Sequence, residues 1–263
     1  MPTDEDEPVL LERSGRVLTV RINRPDARNA LRVADKRRIT GIVEEAAAGD
    51  ARCIVLAGAG EHAFCAGSDL KEMSDMDTAD FLAMEQVEAD MYDAIMRSPL
   101  PVIAAVHGWA LGTGCVLAAA SDLVVADPGA NFGQPEILNG APTPIHGALL
   151  PRIVGLNRAR WLVLTGRTIT AATAQQWGLV SQLSAPGAAL SEAQALAATL
   201  AEDVHPGSMA LQKRIVDSWV RHPFDAAVDG SMFIAATAYG SGWPQSAAAR
   251  MRGRTLRNTG EET

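Results

Sequence analysis

Two turns of small residues hold the groups with the most chemical promise. Phe64-Cys65-Ala66-Gly67-Ser68-Asp69-Leu70 follows the apolar run 53–58, and His107-Gly108-Trp109-Ala110-Leu111-Gly112-Thr113-Gly114-Cys115 follows the run 101–106. Each reads as a buried strand, a turn and a helix start. Main-chain N–H groups left unpaired at such turns can point into a cleft. Two of them converging there would stabilise an oxygen that is gaining negative charge. The same pattern also describes an ordinary strand-to-helix connection, and these residues by themselves leave both readings open.

Other motifs carry less. Gly58-Ala59-Gly60-Glu61-His62-Ala63 fits a dinucleotide fingerprint after a strand, yet Phe64-Cys65-Ala66-Gly67 continues as loop where a helix would have to begin. Ser68-Asp69-Leu70-Lys71 fits SxxK without the companion motifs of serine-acylating enzymes. The histidines at 62, 107, 146, 205 and 222 have no metal-ligand spacing, so no metal is expected. Cys53, Cys65 and Cys115 lack CxxC pairing and read as reduced thiols.

The elements around these residues alternate in the manner of an α/β protein. Residues 16–23 alternate as a half-buried strand, and a helix is expected from Leu31 to about Ala48. Asp77 or Thr78 caps a helix with the apolar stripe Phe81, Met84, Val87, Met91, Ala94 and Ile95, which Ser98-Pro99 ends. Prolines and glycines within 139–151 predict irregular chain up to about Gly147. Later helices are predicted at 157–165, 171–177, 191–204, 206–221, 223–239 and 244–258, with a strand at 179–183. The expected division is a flexible acidic tail over 1–8, a sheet-containing core over 9–195 and a helical region over 196–263.

With 263 residues, 48% of them hydrophobic and only 5% aromatic, the chain predicts a sizeable aliphatic core. A net charge of −8 argues against nucleic-acid or membrane-surface partners. The acidic start Asp4-Glu5-Asp6-Glu7 is unlike a basic leader, and no apolar run approaches the roughly 18 residues of a membrane span. A cytoplasmic protein is the expectation.

The two turns, the upstream Arg24-Pro25-Asp26-Ala27-Arg28-Asn29-Ala30-Leu31 and the downstream Phe132-Gly133-Gln134-Pro135-Glu136-Ile137 together resemble the enoyl-CoA hydratase/isomerase (crotonase) superfamily over residues 9 to 260. The resemblance implies a ββα spiral core followed by helices that build trimers or paired trimers. It further implies an acyl-CoA substrate, with no cofactor beyond that CoA. The amides of Ala66 and Thr113 would hold the thioester oxygen as it becomes an enolate, and Glu136 would act as general base and acid. Ala27, Arg28, Ala30, Ser68, Asp69 and Leu70 would contact CoA. Lys71 and the basic run Arg250, Arg252, Arg254 and Arg257 are weaker candidates for its phosphates.

Two departures from the family pattern bear on the reaction. Hydratases of the family carry a first glutamate where this chain has Val116, which can neither give nor take a proton. Pro144 stands where their loop supplies a glycine N–H to the water, and proline has none. Isomerisation of a 3-enoyl-CoA needs no water and one carboxylate, so it is the favoured expectation, with Val116 and Pro144 as pocket walls. The rivals are a hydratase or lyase in which His146 or another side chain replaces the missing carboxylate, and a non-catalytic CoA-binding subunit. Tyr239 and Trp243 are further candidates to reach a pocket, without a motif to support them.

Overall fold

The computed structural model describes residues 7–249. The expected acidic tail falls almost wholly outside them, as do the four C-terminal arginines. The chain divides into one compact unit ending at Asp203 and a second beginning at Val204.

The first unit is built on two sheets that the chain visits alternately. β1 (Val9–Ser14) and β2 (Val17–Ile22) form an antiparallel hairpin, which Gly15 turns at a φ of +58°. β1 is not foreshadowed in the sequence, because Val-Leu-Leu-Glu-Arg-Ser does not alternate. After α1 (Val33–Ala48), β3 (Cys53–Gly58) pairs parallel with β2, and β4 (Ala63–Cys65) starts the second sheet. Helices α2 (Leu70–Met73) and α3 (Thr78–Arg97) complete that circuit. The next circuit gives β5 (Val102–Val106) to the first sheet, β6 (Trp109–Leu111) to the second, and then α4 (Thr113–Ala120). A third gives β7 (Leu123–Ala126) and β8 (Asn131–Gly133). The result is a spiral in which each circuit lays one strand in each sheet.

Two 3₁₀ turns, Pro135–Asn139 and Ile145–Leu149, occupy the proline-rich stretch, the second beginning slightly ahead of the expected Gly147. They lead to α5 (Leu150–Ile153), α6 (Leu156–Thr165), β9 (Thr168–Thr170), α7 (Ala171–Trp177) and β10 (Gln182–Leu183). The strand expected at 179–183 pairs only at its last two residues, because Gly178 closes α7 in the left-handed region and buries Leu179 and Val180 in the turn that follows.

α8 (Ala189–Asp203) belongs to this first unit, so the boundary expected at 195 falls inside a helix. Its small face explains why. Ala193 and Ala197 pack against Val17, Val55, Ala57, Ile103 and Val125 of the six-stranded sheet, and alanines let the helix lie close to it. The second unit pairs α9 (Pro206–Arg221) with α10 (Phe224–Gly240), and residues 243–249 are again helical. Within it Trp243 packs on His205 with ring centroids 4.2 Å apart, whereas Tyr239 is exposed.

Candidate active site

The two turns touch. A Cβ added to Gly114 would lie 2.1 Å from the Cys65 carbonyl oxygen, so only glycine lets α4 start directly against the end of β4. Their backbone amides are not equally available. The Ala66 amide donates to the Arg28 carbonyl at 3.0 Å, which corrects the expectation that it faces the substrate. On the same turn the Gly67 carbonyl accepts from Leu31 N at 2.8 Å and Asp69 N donates to the Leu31 carbonyl at 2.9 Å. Between them the Ser68 amide meets no acceptor among the described residues. Since the N–H of a trans peptide points opposite its C=O, the Gly67–Leu31 bond turns Ser68 N–H away from the Leu31 segment.

The second turn repeats this logic. The Gly112 carbonyl accepts from Val116 N at 3.0 Å and from Gln134 Nε2 at 3.2 Å, which orients the following peptide. The Thr113 amide, first in its helix, is left free among the described residues. The Ser68 and Thr113 side chains meet as well, their hydroxyl oxygens 2.8 Å apart.

Beneath them lies a buried ion pair. Lys36, whose side chain is fully buried, contacts Glu88 Oε2 directly and donates to Ser68 Oγ at 2.7 Å. Ser68 Oγ lies 3.0 Å from Glu88 Oε2, while Thr113 Oγ1 and the Tyr92 hydroxyl donate to Oε1 at 2.9 and 2.7 Å. Burial pushes the Glu88 carboxyl up, but the Lys36 ammonium and these hydrogen bonds outweigh it and hold the group below the usual carboxylate range. The residues that carry both free amides are thus anchored by their hydroxyls to one buried charge.

A cavity of about 130 Å³ opens over this network, lined by both turns, by α3 and by the 3₁₀ segments. Glu136 enters it from the 3₁₀ turn that Pro135 begins, and accepts from Thr143 Oγ1 at 3.2 Å. It also explains Gly112. A Cβ there would lie 2.6 Å from Glu136 Oε1, and the φ of +53° independently favours glycine. Burial is the main cause that raises the Glu136 carboxyl above its ordinary value. Leu70, Val116 and Pro144 line the cavity, Val116 with 4% exposure.

The other expected site residues sit elsewhere. His146 does not line the cavity; its Nε2 lies 3.2 Å from Asp93 Oδ1 and its ring packs on Tyr92, so a carboxylate outside the cavity accounts for its polar edge. Asp69 caps α2 and pairs with Arg24 at 2.9 Å. Ala27, Arg28 and Ala30 form the segment behind the first turn, with the Arg28 side chain exposed. Asn29, which sequence reading passed over, fixes that segment: its φ is +58°, and Nδ2 donates to the Ala63 carbonyl at 2.6 Å and the Ala59 carbonyl at 2.9 Å. The Cys65 and Cys115 thiols are buried, which pushes Cys65 up to about 12 and Cys115 to about 11 and leaves neither a nucleophile near neutral pH.

Sequence reading also missed Glu85. The buried stripe of α3 is Met84, Glu85, Glu88, Met91, Tyr92 and Ile95, so two glutamates stand on the apolar face. Their three-residue spacing, continuous with Met91 and Tyr92, was the available signal. Glu85 lines the cavity with its Oε2 buried and without a hydrogen-bond partner among the described residues.

Comparison with known proteins agrees with this architecture. Residues 12–230 match the model of the family described as enoyl-CoA hydratase/isomerase. The short-chain-enoyl-CoA hydratase of Clostridium acetobutylicum is 33% identical over 223 residues, covering 84% of this chain and 85% of that protein. The 2,3-dehydroadipyl-CoA hydratase of Escherichia coli K12 is 38% identical over 194 residues, covering 73% and 75%. The crystal structure of an enoyl-CoA hydratase from Mycobacterium smegmatis superposes with a TM-score of 0.87 at 31% identity, covering 94% of this chain and 97% of that one.

Proposed function

The chain belongs to the enoyl-CoA hydratase/isomerase family, an α/β crotonase-like spiral followed by helices, and from that premise we propose that it hydrates an enoyl-CoA through a thioester enolate. The observation that carries this reading is the pair of unspent amides at Ser68 and Thr113, set on one cavity with the carboxyl of Glu136. In this reading Ser68 takes the role expected of Ala66. A thioester oxygen accepting from both amides becomes the enolate oxygen as hydroxyl adds at C3, and the hole stabilises that charge without reorganising. Glu136, raised by burial, then protonates C2. The step uses no cofactor beyond the CoA that the substrate carries. Arg28, exposed and in no ion pair among the described residues, is available to a CoA phosphate in a protein of net charge −8. The Ala27–Ala30 backbone, Asp69 and Leu70 would flank that chain.

Isomerisation of a 3-enoyl-CoA is the second reading, favoured by the apolar Val116. Hydration is preferred because the relatives carry hydratase names. Assembly into a trimer or paired trimers is part of the same proposal, supported by the exposed Trp219, Phe224, Met232 and Phe233 on α9 and α10. The test is to follow crotonyl-CoA hydration, 3-enoyl-CoA isomerisation and deuterium uptake at C2 of butyryl-CoA in D₂O. Hydration should exceed isomerisation, and Glu136→Gln should lower both hydration and exchange by about 10²–10⁴. Absence of C2 exchange in the parent protein would overturn the enolate reading.

A further inference from the structure

Hydration needs a second proton carrier, which Val116 cannot be. Resting on the hydratase reading above, we propose that Glu85 of α3 is that carrier, the base that accepts a proton from the water attacking C3. Glu85 is only 9% exposed, lines the cavity that Glu136 enters, and keeps one carboxylate oxygen buried and unbonded within the described residues. A buried acceptor without a partner is costly, and a water admitted beside Glu85 with the substrate would supply the missing donor.

One other lining atom, Gln134 Oε1, is likewise buried without a hydrogen-bond partner among the described residues, but an amide oxygen does not take up a proton near neutral pH; the titratable neighbours are engaged. Glu88 has both oxygens in the Lys36, Ser68, Thr113 and Tyr92 network, Thr143 donates to Glu136, and His146 turns to Asp93. The helix explains the difference between the two glutamates. One turn apart on the same face, Glu88 stands over Lys36 while Glu85 lines the cavity beside Phe81, Met84 and Leu70 with no cation paired to it among the described residues. Desolvation first, and then the Glu88 charge, push the Glu85 carboxyl up to about 7, so both of its protonation states are populated near neutrality.

The step balances. The water oxygen bonds to C3, one water proton passes to the Glu85 carboxylate, and the C2=C3 pair moves into the enolate held by the two amides. Protonated Glu136 then gives its proton to C2 and the thioester carbonyl re-forms. Glu85 ends protonated and Glu136 ionised, exchange with solvent resets them, and the sum is enoyl-CoA plus water to 3-hydroxyacyl-CoA.

The test compares parent, Glu85→Gln and Glu85→Asp in crotonyl-CoA hydration across pH, alongside C2 exchange of butyryl-CoA. Glu85→Gln should lower hydration kcat by about 10²–10⁴ while KM moves only a few-fold, and the rise of activity around pH 7 should vanish. Its loss of C2 exchange should be at least about tenfold smaller than its loss of hydration, and Glu85→Asp should recover part of the hydration. A parent that exchanges C2 but does not hydrate, or a Glu85→Gln variant that hydrates within about threefold of the parent, overturns the assignment of Glu85 and leaves the enolate reading standing. A parent that neither exchanges nor hydrates overturns both.

Discussion

Replacing Lys36 by methionine tests whether the buried pair supports the two turns. Methionine nearly keeps the volume of the lysine stem, so the change removes a charge and three donors rather than packing. The lysine side chain is 0% exposed and its partner Glu88 is 8% exposed. Stranding one member of a buried pair costs about 3–5 kcal/mol. Glu88 keeps the Ser68, Thr113 and Tyr92 hydroxyls, which places this case near the lower end, about 3 kcal/mol. In a unit of about 200 residues each kcal/mol moves Tm by roughly 2–4 °C, so circular dichroism should show a fall of about 6–12 °C at pH 7. The pH dependence has a definite sign. The Glu88 carboxyl is held low in the folded protein, so its stabilisation is present above its unfolded value and is lost as pH falls through the folded one. The gap between parent and Lys36→Met should therefore narrow below about pH 4.5. The double variant Lys36→Met/Glu88→Leu should regain stability to within about 1 kcal/mol of the parent, since an apolar pair substitutes well for a buried ionic one. Its activity should stay lower than the parent's, because the Ser68 and Thr113 hydroxyls lose their acceptor, by up to the 10²–10³ that about one oxyanion donor contributes. A single variant within about 1 kcal/mol of the parent at pH 7, or a double variant no more stable than the single, would refute the reasoning.

Gly112→Ala places a Cβ 2.6 Å from Glu136 Oε1 at a φ of +53°. It should cost about 1–2 kcal/mol in thermal unfolding and lower kcat by displacing the carboxyl, so an unchanged kcat would contradict the placement of Glu136. Glu85→Gln should stabilise the protein at alkaline pH: a carboxyl raised to about 7 in the fold penalises the folded state increasingly as pH rises from its unfolded value to that point. Urea unfolding should find the variant more stable than the parent by roughly 2 kcal/mol at pH 8, allowing for solvent in the cavity, with the difference closing near pH 4.5. Asn29→Ala removes both donors to the Ala59 and Ala63 carbonyls and a residue suited to φ +58°. A loss of about 2–4 kcal/mol is expected in the same assay.

What could be read from the sequence was what is decided locally. The α3 helix begins at Asp77, whose side chain accepts from Ala79 and Asp80, and ends before Ser98-Pro99, because caps and prolines act within a few residues. Thr170 caps α7 for the same reason. The first turn was legible as a turn, but which of its amides is free depends on Arg28 and Leu31, which pair with it from some forty residues away. His146 was a candidate until α3 supplied Asp93. Glu85 is next to Met84 of the apolar stripe and nothing local marks it as a site residue, because the cavity it lines is closed by segments distant in sequence. The end of the first unit is hidden from a reading of the sequence because the alanine face of α8 carries little hydrophobic signal although it covers the sheet closely.

The central claim is that the free amides of Ser68 and Thr113 grip a thioester oxygen. Isotope-edited infrared spectroscopy of bound butyryl-CoA carrying ¹³C at the carbonyl measures this directly. A carbonyl stretch shifted below its frequency in water is predicted, because two fixed donors polarise the bond more than solvent does. A bound thioester that vibrates at its aqueous frequency would contradict the account.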